Sequence, residues 1–251
     1  MKLIRTVIVF DQGDLIESDG WSEMYGIYSN VIARTVNPPG TTQFTIRAKT
    51  KVTDPSGKRS TQWNRNGVTP IKSQFQELMK NAACKAEKHL SLVGYLSKVQ
   101  IKEPLRSYPS KQILEGLNSS VGDFDFWYET SAGFKAVVEW ETGNISSSHR
   151  SLNKLCLTLQ AGLVDAAVLI VPSEAFYAHL TDRVGNWREL CPYLAFWQSI
   201  GLGVARGLLA VSVVEHDALV HDDSVAYIPM GSDGRSREGA AKLPKKSPGQ
   251  T

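Results

Sequence analysis

At 251 residues with 42% apolar content, the chain is ordinary for a soluble globular protein and long enough to bury one sizeable core. Three cysteines, Cys84, Cys156 and Cys191, are odd in number and stand in no CxxC or Cys/His spacing, which argues against a disulfide framework or a zinc site and suits a reduced, intracellular protein. The net charge is only +3, but Lys and Arg crowd residues 47–65 and 235–246 while acids collect at 123–141, an asymmetry that fits a polyanionic partner gripped by basic margins around an acidic metal site.

The opening MKLIRTVIVFDQGD is cut by Asp11 and lacks a small-residue cleavage site, so it reads as a first strand or helix and not as a signal peptide. Residues 15–34 place Trp21, Met24, Ile27, Tyr28, Val31 and Ile32 on one helical face, and Pro38 and Pro39 close that helix. Residues 42–52 alternate apolar and polar, DPSGK supplies turn chemistry and RSTQWNR resumes, which together predict a hairpin. Its basic residues Arg47, Lys49, Lys51, Lys58, Arg59 and Arg65 either touch phosphates or simply solvate and protect an edge strand. Helix formers and apolar residues at Phe75, Leu78, Met79, Ala82 and Ala86 predict an amphipathic helix over 72–89, begun near Pro70. Pro104 and Pro109 break residues 90–115, where no element is assigned.

Strands follow at 122–128 and 134–141, joined by the turn ThrSerAlaGly. A helix capped by Ser146, Ser147 or Ser148 then presents Leu152, Leu155, Cys156 and Leu159 on its apolar face and stops at Gly162. The continuous apolar run 164–172 reads as a strand buried on both faces, and strand, helix, strand in that order implies a parallel crossover and an α/β core. Helices at 173–180 and 187–197 flank the loop TDRVGN, and 207–214 is the last core strand. The apolar stretch 200–214 is interrupted by Arg206 and is too short to span a bilayer, so no membrane segment is expected. From Met230 the chain is rich in Gly, Ser, Lys and Pro, predicting one domain over 1–251 with a mobile tail at 235–251.

No Walker loop, no GxGxxG after a strand, no HExxH and no GxSxG occurs. His149 follows three serines but has no evident acid partner, so it reads as a helix-start histidine and not as a catalytic base. The acids are more informative. In VVEWE, Glu139 and Glu141 share one face of a strand, roughly 6 to 7 Å apart, close enough for divalent cations to bridge them. With an aspartate from the neighbouring DFDF they form the ligand set that metal-assisted phosphodiester cleavage needs, although two surface glutamates on an edge strand would look the same. A glycosidase acid pair fits poorly, because its carboxylates flank the sugar from different elements.

The run EWETGNISSSHRSLNK at 139–154 strongly resembles the BamHI family of type II restriction endonucleases, in the PD-(D/E)xK nuclease superfamily. Three further words match it in the same order: NGVTPIK at 66–72, YAHLTDRVGN at 177–186 and IPMGSDGRS at 228–236, so the resemblance covers roughly 42–237. It implies a central mixed β-sheet flanked by helices on both sides, and magnesium-dependent double-strand cleavage with two metal ions per site. By resemblance Glu139 is a metal ligand, and Glu141, standing where most of the superfamily keeps a lysine, is a base or second ligand. Strand alternation leaves Asp123 and Asp125 equivalent; Asp125 is favoured because a related enzyme with a similar DxDF word ligates through the second acid. Glu87 resembles a family acid near the second metal, with Glu77 as its competitor, and Lys72 resembles a family lysine beside that site.

For base reading, the resemblance points to Asn144, Ser146, Arg150, Asp182 and Arg183, and places Gly231 and Gly234 in a segment approaching the minor groove. The chemistry agrees: arginine forks match guanine O6 and N7, and aspartate accepts from cytosine N4. The implied target is the palindrome GGATCC, cut after the first G to leave 5′ overhangs. A palindrome calls for a homodimer on double-stranded DNA. The resemblance also implies a companion DNA methyltransferase that acts on the same site without a stable complex, and a bacterial cytoplasmic location. A DNA-binding protein of the same fold that does not cut is the alternative. Residues 54–58, 195–206 and the tail depart from the family pattern.

Overall fold

The computed structural model of the protein describes residues 1–53, 57, 59–82, 84–92, 95, 106–110, 112, 120–181 and 184–230. Lys58, Asp182, Arg183, Gly231, Gly234 and the expected tail 235–251 lie outside those residues, as does most of 90–115.

Every residue of Ala166–Pro172 (β8) is buried, as an apolar strand must be when it lies mid-sheet with cover on both faces. The sheet has six strands in the order Lys2–Gln12 (β1), Gly207–Glu215 (β9), β8, Lys135–Trp140 (β7), Ser120–Glu129 (β6) and Lys85–Ser91 (β5). Strands β7, β8 and β9 run parallel, while β1 joins one edge and β6 and β5 the other in antiparallel fashion. Alternation sorts the side chains into two cores. Ala136, Val138, Trp140, Val168 and Ile170 pack with Asp19–Arg34 (α1) and Thr69–Asn81 (α2). Val137, Ala167, Leu169 and Val171 pack on the opposite face with Leu152, Leu155, Cys156 and Leu159 of Ile145–Gln160 (α3) and with Trp197 of Leu194–Gly201 (α6). This is the mixed sheet flanked by helices that the sequence implied.

Several elements differ from expectation. The amphipathic helix does not reach residue 89: α2 ends at Asn81, and the Ala/Lys/Glu-rich stretch after Cys84 becomes β5 by pairing with the open edge of β6. Helix propensity is a weak preference there and the unpaired ladder of β6 overrides it. Residues 42–52 are not one strand. Thr45–Arg47 (β2) pairs in parallel with Ala218–Val220 (β10), a strand beyond the expected last one, and only Thr50–Thr53 (β3) and Arg59–Asn64 (β4) form the hairpin. The Ala48 N–H bonds the Val220 carbonyl and the Lys49 N–H bonds His179 Nδ1, which interrupts the run between β2 and β3. The helix expected at 173–180 is the short Glu174–Tyr177 (α4), and the one at 187–197 is Trp187–Leu190 (α5) followed by a 3-10 turn at Pro192 and then α6. No described helix is long and apolar enough to cross a membrane.

Candidate active site

Strands β6 and β7 pair regularly from Glu129↔Lys135 to Phe126↔Val138, and there the ladder stops. Where the next rungs would fall, the Trp140 N–H bonds Asp125 Oδ2 at 2.8 Å instead of a backbone carbonyl. The two strands splay at this point, with a carboxylate in the opening. On the other side of β7 the pairing to β8 continues past Trp140, since the Glu141 N–H bonds the Ile170 carbonyl at 3.0 Å. The acids are therefore mounted on the rigid centre of the sheet while the space beside them is left free of backbone.

Glu139 and Glu141 are 7% and 5% exposed, too buried to be the surface pair that VVEWE alone allowed. Asp125 Oδ1 meets the Lys72 ammonium, from the first turn of α2, at 2.7 Å. Glu139 meets the ammonium of Lys154, from the middle of α3. Burial, and then the neighbouring Asp125 charge, push the Glu139 carboxyl up, and the two lysines only partly offset this. Burial also raises the Glu141 carboxyl, against the pull of the Ser148 hydroxyl and the Gly143 N–H. Glu141 Oε1 accepts that N–H at 2.5 Å, whereas Oε2 is buried with no hydrogen-bond partner of good geometry among the described residues. Gly143 has to be glycine for this turn, because a Cβ there would lie 2.6 Å from the Ser147 side chain.

The acids open onto a cleft of about 500 Å³ walled by Lys72, Gly143 and a stripe of α3 side chains, Ser147, Arg150, Ser151 and Lys154. The α3 cap is Asn144, whose Oδ1 accepts the Ser147 N–H at 3.1 Å, and none of the serines expected in that role. Asn is as good a cap as Ser, so sequence order alone could not choose. Ser146 and Arg150 are exposed. His149 stacks edge-on against Tyr193, ring centroids 4.5 Å apart, and also meets the Trp197 ring.

The two aspartates that alternation left equivalent occupy different surroundings. The Asp125 side chain is 15% exposed and faces Lys72; that of Asp123 is 61% exposed and pairs with His89 at 2.9 Å. Glu87 does not end a helix. It stands in β5 between Ala86, opposite Phe126, and Lys88, opposite Phe124, which puts its backbone level with Asp125. Glu77 lies on α2, exposed. Asp182 and Arg183 lie outside the described residues, but the chain on either side of them is fixed: the Thr181 N–H bonds the Asn66 carbonyl at 2.8 Å, and Val184 forms a bridge with Asn144.

Two residues of this region went unassigned in the sequence. Lys154 belonged to the polar side of an amphipathic helix, which reads as solvent-facing; the spacing of Ser147, Arg150, Ser151 and Lys154 at i, i+3, i+4 and i+7 was the available sign that the polar side faces a cleft. Asn66, fully buried, donates from Nδ2 to the carbonyls of Arg47 and His179 at 2.8 and 3.0 Å, and its Oδ1 accepts the Ile228 N–H. It gathers three distant segments at one side chain. Next to it a Cβ on Gly67 would lie 2.0 Å from the Pro229 carbonyl oxygen, so the two backbones touch there.

Which metal-binding groups does this leave? Among the described residues no three His, Cys, Asp or Glu side chains converge as they stand around one point, because Asp125 and Glu139 are each met by an ammonium group. The donor set is nevertheless of the kind hard divalent cations take. It is all carboxylate oxygen, it already draws in two cations, and it retains on Glu141 a buried oxygen with no well-aligned hydrogen-bond partner among the described residues.

The fold is that of a restriction endonuclease. It resembles the crystal structure of restriction endonuclease BglII complexed with a DNA 16-mer, with a TM-score of 0.51 at 10% identity, covering 85% of this chain and 79% of that one. In sequence, residues 1–235 match the family model of the restriction endonuclease BamHI. The chain is 32% identical over 250 residues to the type II restriction enzyme BamHI of Bacillus amyloliquefaciens, covering 98% of each. It is 36% identical over 173 residues to the type II restriction enzyme OkrAI of Oceanobacter kriegii, covering 68% of this chain and 74% of that one. The chain belongs to the BamHI family of type II restriction endonucleases.

Proposed function

We propose that the protein cuts double-stranded DNA at GGATCC after the first G, leaving 5′ overhangs, as a homodimer in the bacterial cytoplasm, with a methyltransferase of the same specificity protecting host DNA without binding the nuclease stably. The observation that carries this reading is the direct passage from a buried acid cluster into an exposed helix start: only Thr142 and Gly143 separate Glu141 from Asn144. Chemistry and base reading are then two ends of one short segment.

In this reading Asp125, Glu139 and Glu141 hold magnesium, two ions per site, with Glu87 toward the second. When bound, the metal lowers the pKa of a water and stabilises charge on the attacking and leaving oxygens. The protein's own groups do the rest. Glu141, anchored through Oε1 to the Gly143 N–H, offers the buried Oε2 as the atom that takes a proton from the attacking water; its burial raises its basicity toward the working range. Lys72 restrains Asp125. Because capping occupies Asn144 Oδ1, its contribution to a base edge falls to the amide donors, while Ser146 and Arg150 are exposed and ready to contact bases. Asp182 and Arg183 complete the major-groove contacts, and Gly231 and Gly234 approach the minor groove.

Digestion of plasmid DNA of known sequence with magnesium, followed by mapping of the ends, tests this reading. Discrete fragments ending at G^GATCC support it; fragments ending elsewhere refute the specificity. The rival is a DNA-binding protein that does not cut, favoured by the ammonium group on each of Asp125 and Glu139. Any discrete fragments dispose of it.

A further inference from the structure

We infer that Lys154 is a positioning residue that ties base reading to the catalytic carboxylates, an inference that rests on the proposed reading of α3 as the base-contacting helix. Its ammonium group meets the Glu139 carboxylate on β7, the Asp123 carbonyl oxygen on β6 at 2.8 Å and the face of the Phe124 ring, 4.4 Å from the centroid. The stem that carries it leaves α3 four residues beyond Arg150, about one turn further along the same face. One nitrogen thus joins the helix to both splayed strands at the point where their ladder has stopped.

An ammonium suits this task because it is compact and has three donors to divide among partners. Its side chain is 15% exposed, so water competes little for those donors. Lys72 makes no comparable link: it restrains Asp125 from α2, which carries none of the proposed base contacts. A helix is stiff over one turn, so seating Arg150 on its base fixes the root of Lys154 and, through it, the Glu139 carboxylate. A wrong base leaves α3 off its seat, and Glu139 is then held off position by the same link. Misplacement of a reacting group by an ångström costs about a hundredfold in rate. Discrimination between sites therefore becomes larger in cleavage than in binding.

The test first maps the wild-type site and then uses that site, whatever it is; a site other than GGATCC defeats the proposed specificity without touching Lys154. Affinity for the mapped duplex and for duplexes with one base pair changed is measured by fluorescence anisotropy in EDTA, and single-turnover cleavage with magnesium, for wild type, Lys154→Met and Lys154→Arg. Lys154→Met is expected to bind the mapped site within about threefold of wild type, to cut it about 100-fold more slowly, and to lose most of the extra discrimination shown in cleavage. Lys154→Arg, which keeps the charge, is expected to recover cleavage to within about tenfold. Wild-type rates in Lys154→Met would overturn the inference. So would equal losses of binding and cleavage, which mark a phosphate contact, and so would slow cleavage with unchanged discrimination, which marks a role in the cutting step alone. If Lys154→Met shows no cooperative melting, Lys154→Gln, which keeps a donor for the Asp123 carbonyl, is judged by the same outcomes.

Discussion

The acid cluster and the rim proposed to read bases are held in opposite ways. Asp125, Glu139 and Glu141 sit on or at the end of strands of the central sheet; the two glutamates are placed by pairing that runs unbroken through β7, β8 and β9, and Asp125 by its bond to the Trp140 N–H. The rim is assembled from segments far apart in the chain: Asn144 forms a backbone bridge with Val184, and the Asn66 side chain ties the carbonyls of Arg47 and His179 to the N–H of Ile228. In the proposed reading, the groups placed for chemistry stand on the sheet, and the groups that meet the duplex stand at the start of α3 and on segments tied to the rest at few points.

If that division is right, a change in the acid cluster removes cutting and leaves binding. Glu141→Ala is expected to lower single-turnover cleavage by about 10³-fold or more while binding of the mapped duplex in EDTA is retained. A parallel loss of binding, seen by anisotropy, would show the two regions to be one.

The reverse change is Asn66→Ala. It removes the side-chain partner of the Arg47 carbonyl and of the buried Ile228 N–H, while the His179 carbonyl loses one of two donors and keeps the Asn66 N–H. Unsatisfied buried groups cost about 1–3 kcal/mol each and do not add fully, so with two groups left short a loss of about 2 kcal/mol is expected by urea unfolding. Affinity for the specific duplex should fall with it, since the segments at His179 and Ile228 lose the side chain that joins them. A variant as stable and as tightly binding as wild type would remove Asn66 from the account.

The same division explains what could be read in the sequence. The strands from β6 to β9 were legible because alternation and continuous apolar runs carry their own signal, and the shared face of Glu139 and Glu141 was legible with them. Glu87 was placed on a helix because Ala, Lys and Glu favour one locally, while the edge of β6 that captures the segment is supplied from over thirty residues away. The choice between Asp123 and Asp125 escaped alternation because it depends on where the β6–β7 ladder ends, a property of two strands together. The parallel pairing of β2 with β10, and the role of Asn66, need contacts across most of the chain.

Within the acid cluster, pH gives a finer probe. Burial, and then the Asp125 charge, raise the Glu139 carboxyl above its unfolded value. Such a group binds its proton more tightly when folded, so its stabilising contribution is complete below the unfolded pKa and is lost as pH rises through the folded one. Without divalent metal, the wild type should therefore lose stability relative to Glu139→Gln as pH climbs from about 5 to about 8, by about 2 kcal/mol. Thermal melts across that range check it, and parallel curves for the two proteins would show that Lys154 compensates the buried charge in full.

The smallest expected effect lies at the junction of the two regions. Asn144 does two things through one side chain, capping α3 with Oδ1 and, in the proposed reading, donating to a base from its amide nitrogen. Asn144→Asp keeps an oxygen for the Ser147 N–H and adds charge favourable to a helix start, so stability should be unchanged or slightly higher. Asn144→Ala loses the cap and should cost about 1 kcal/mol. Both remove the amide donors, so both should weaken discrimination at the same base pair. If Asn144→Asp keeps full discrimination, the residue serves the helix alone, and the boundary between cutting and reading moves outward to Ser146 and Arg150.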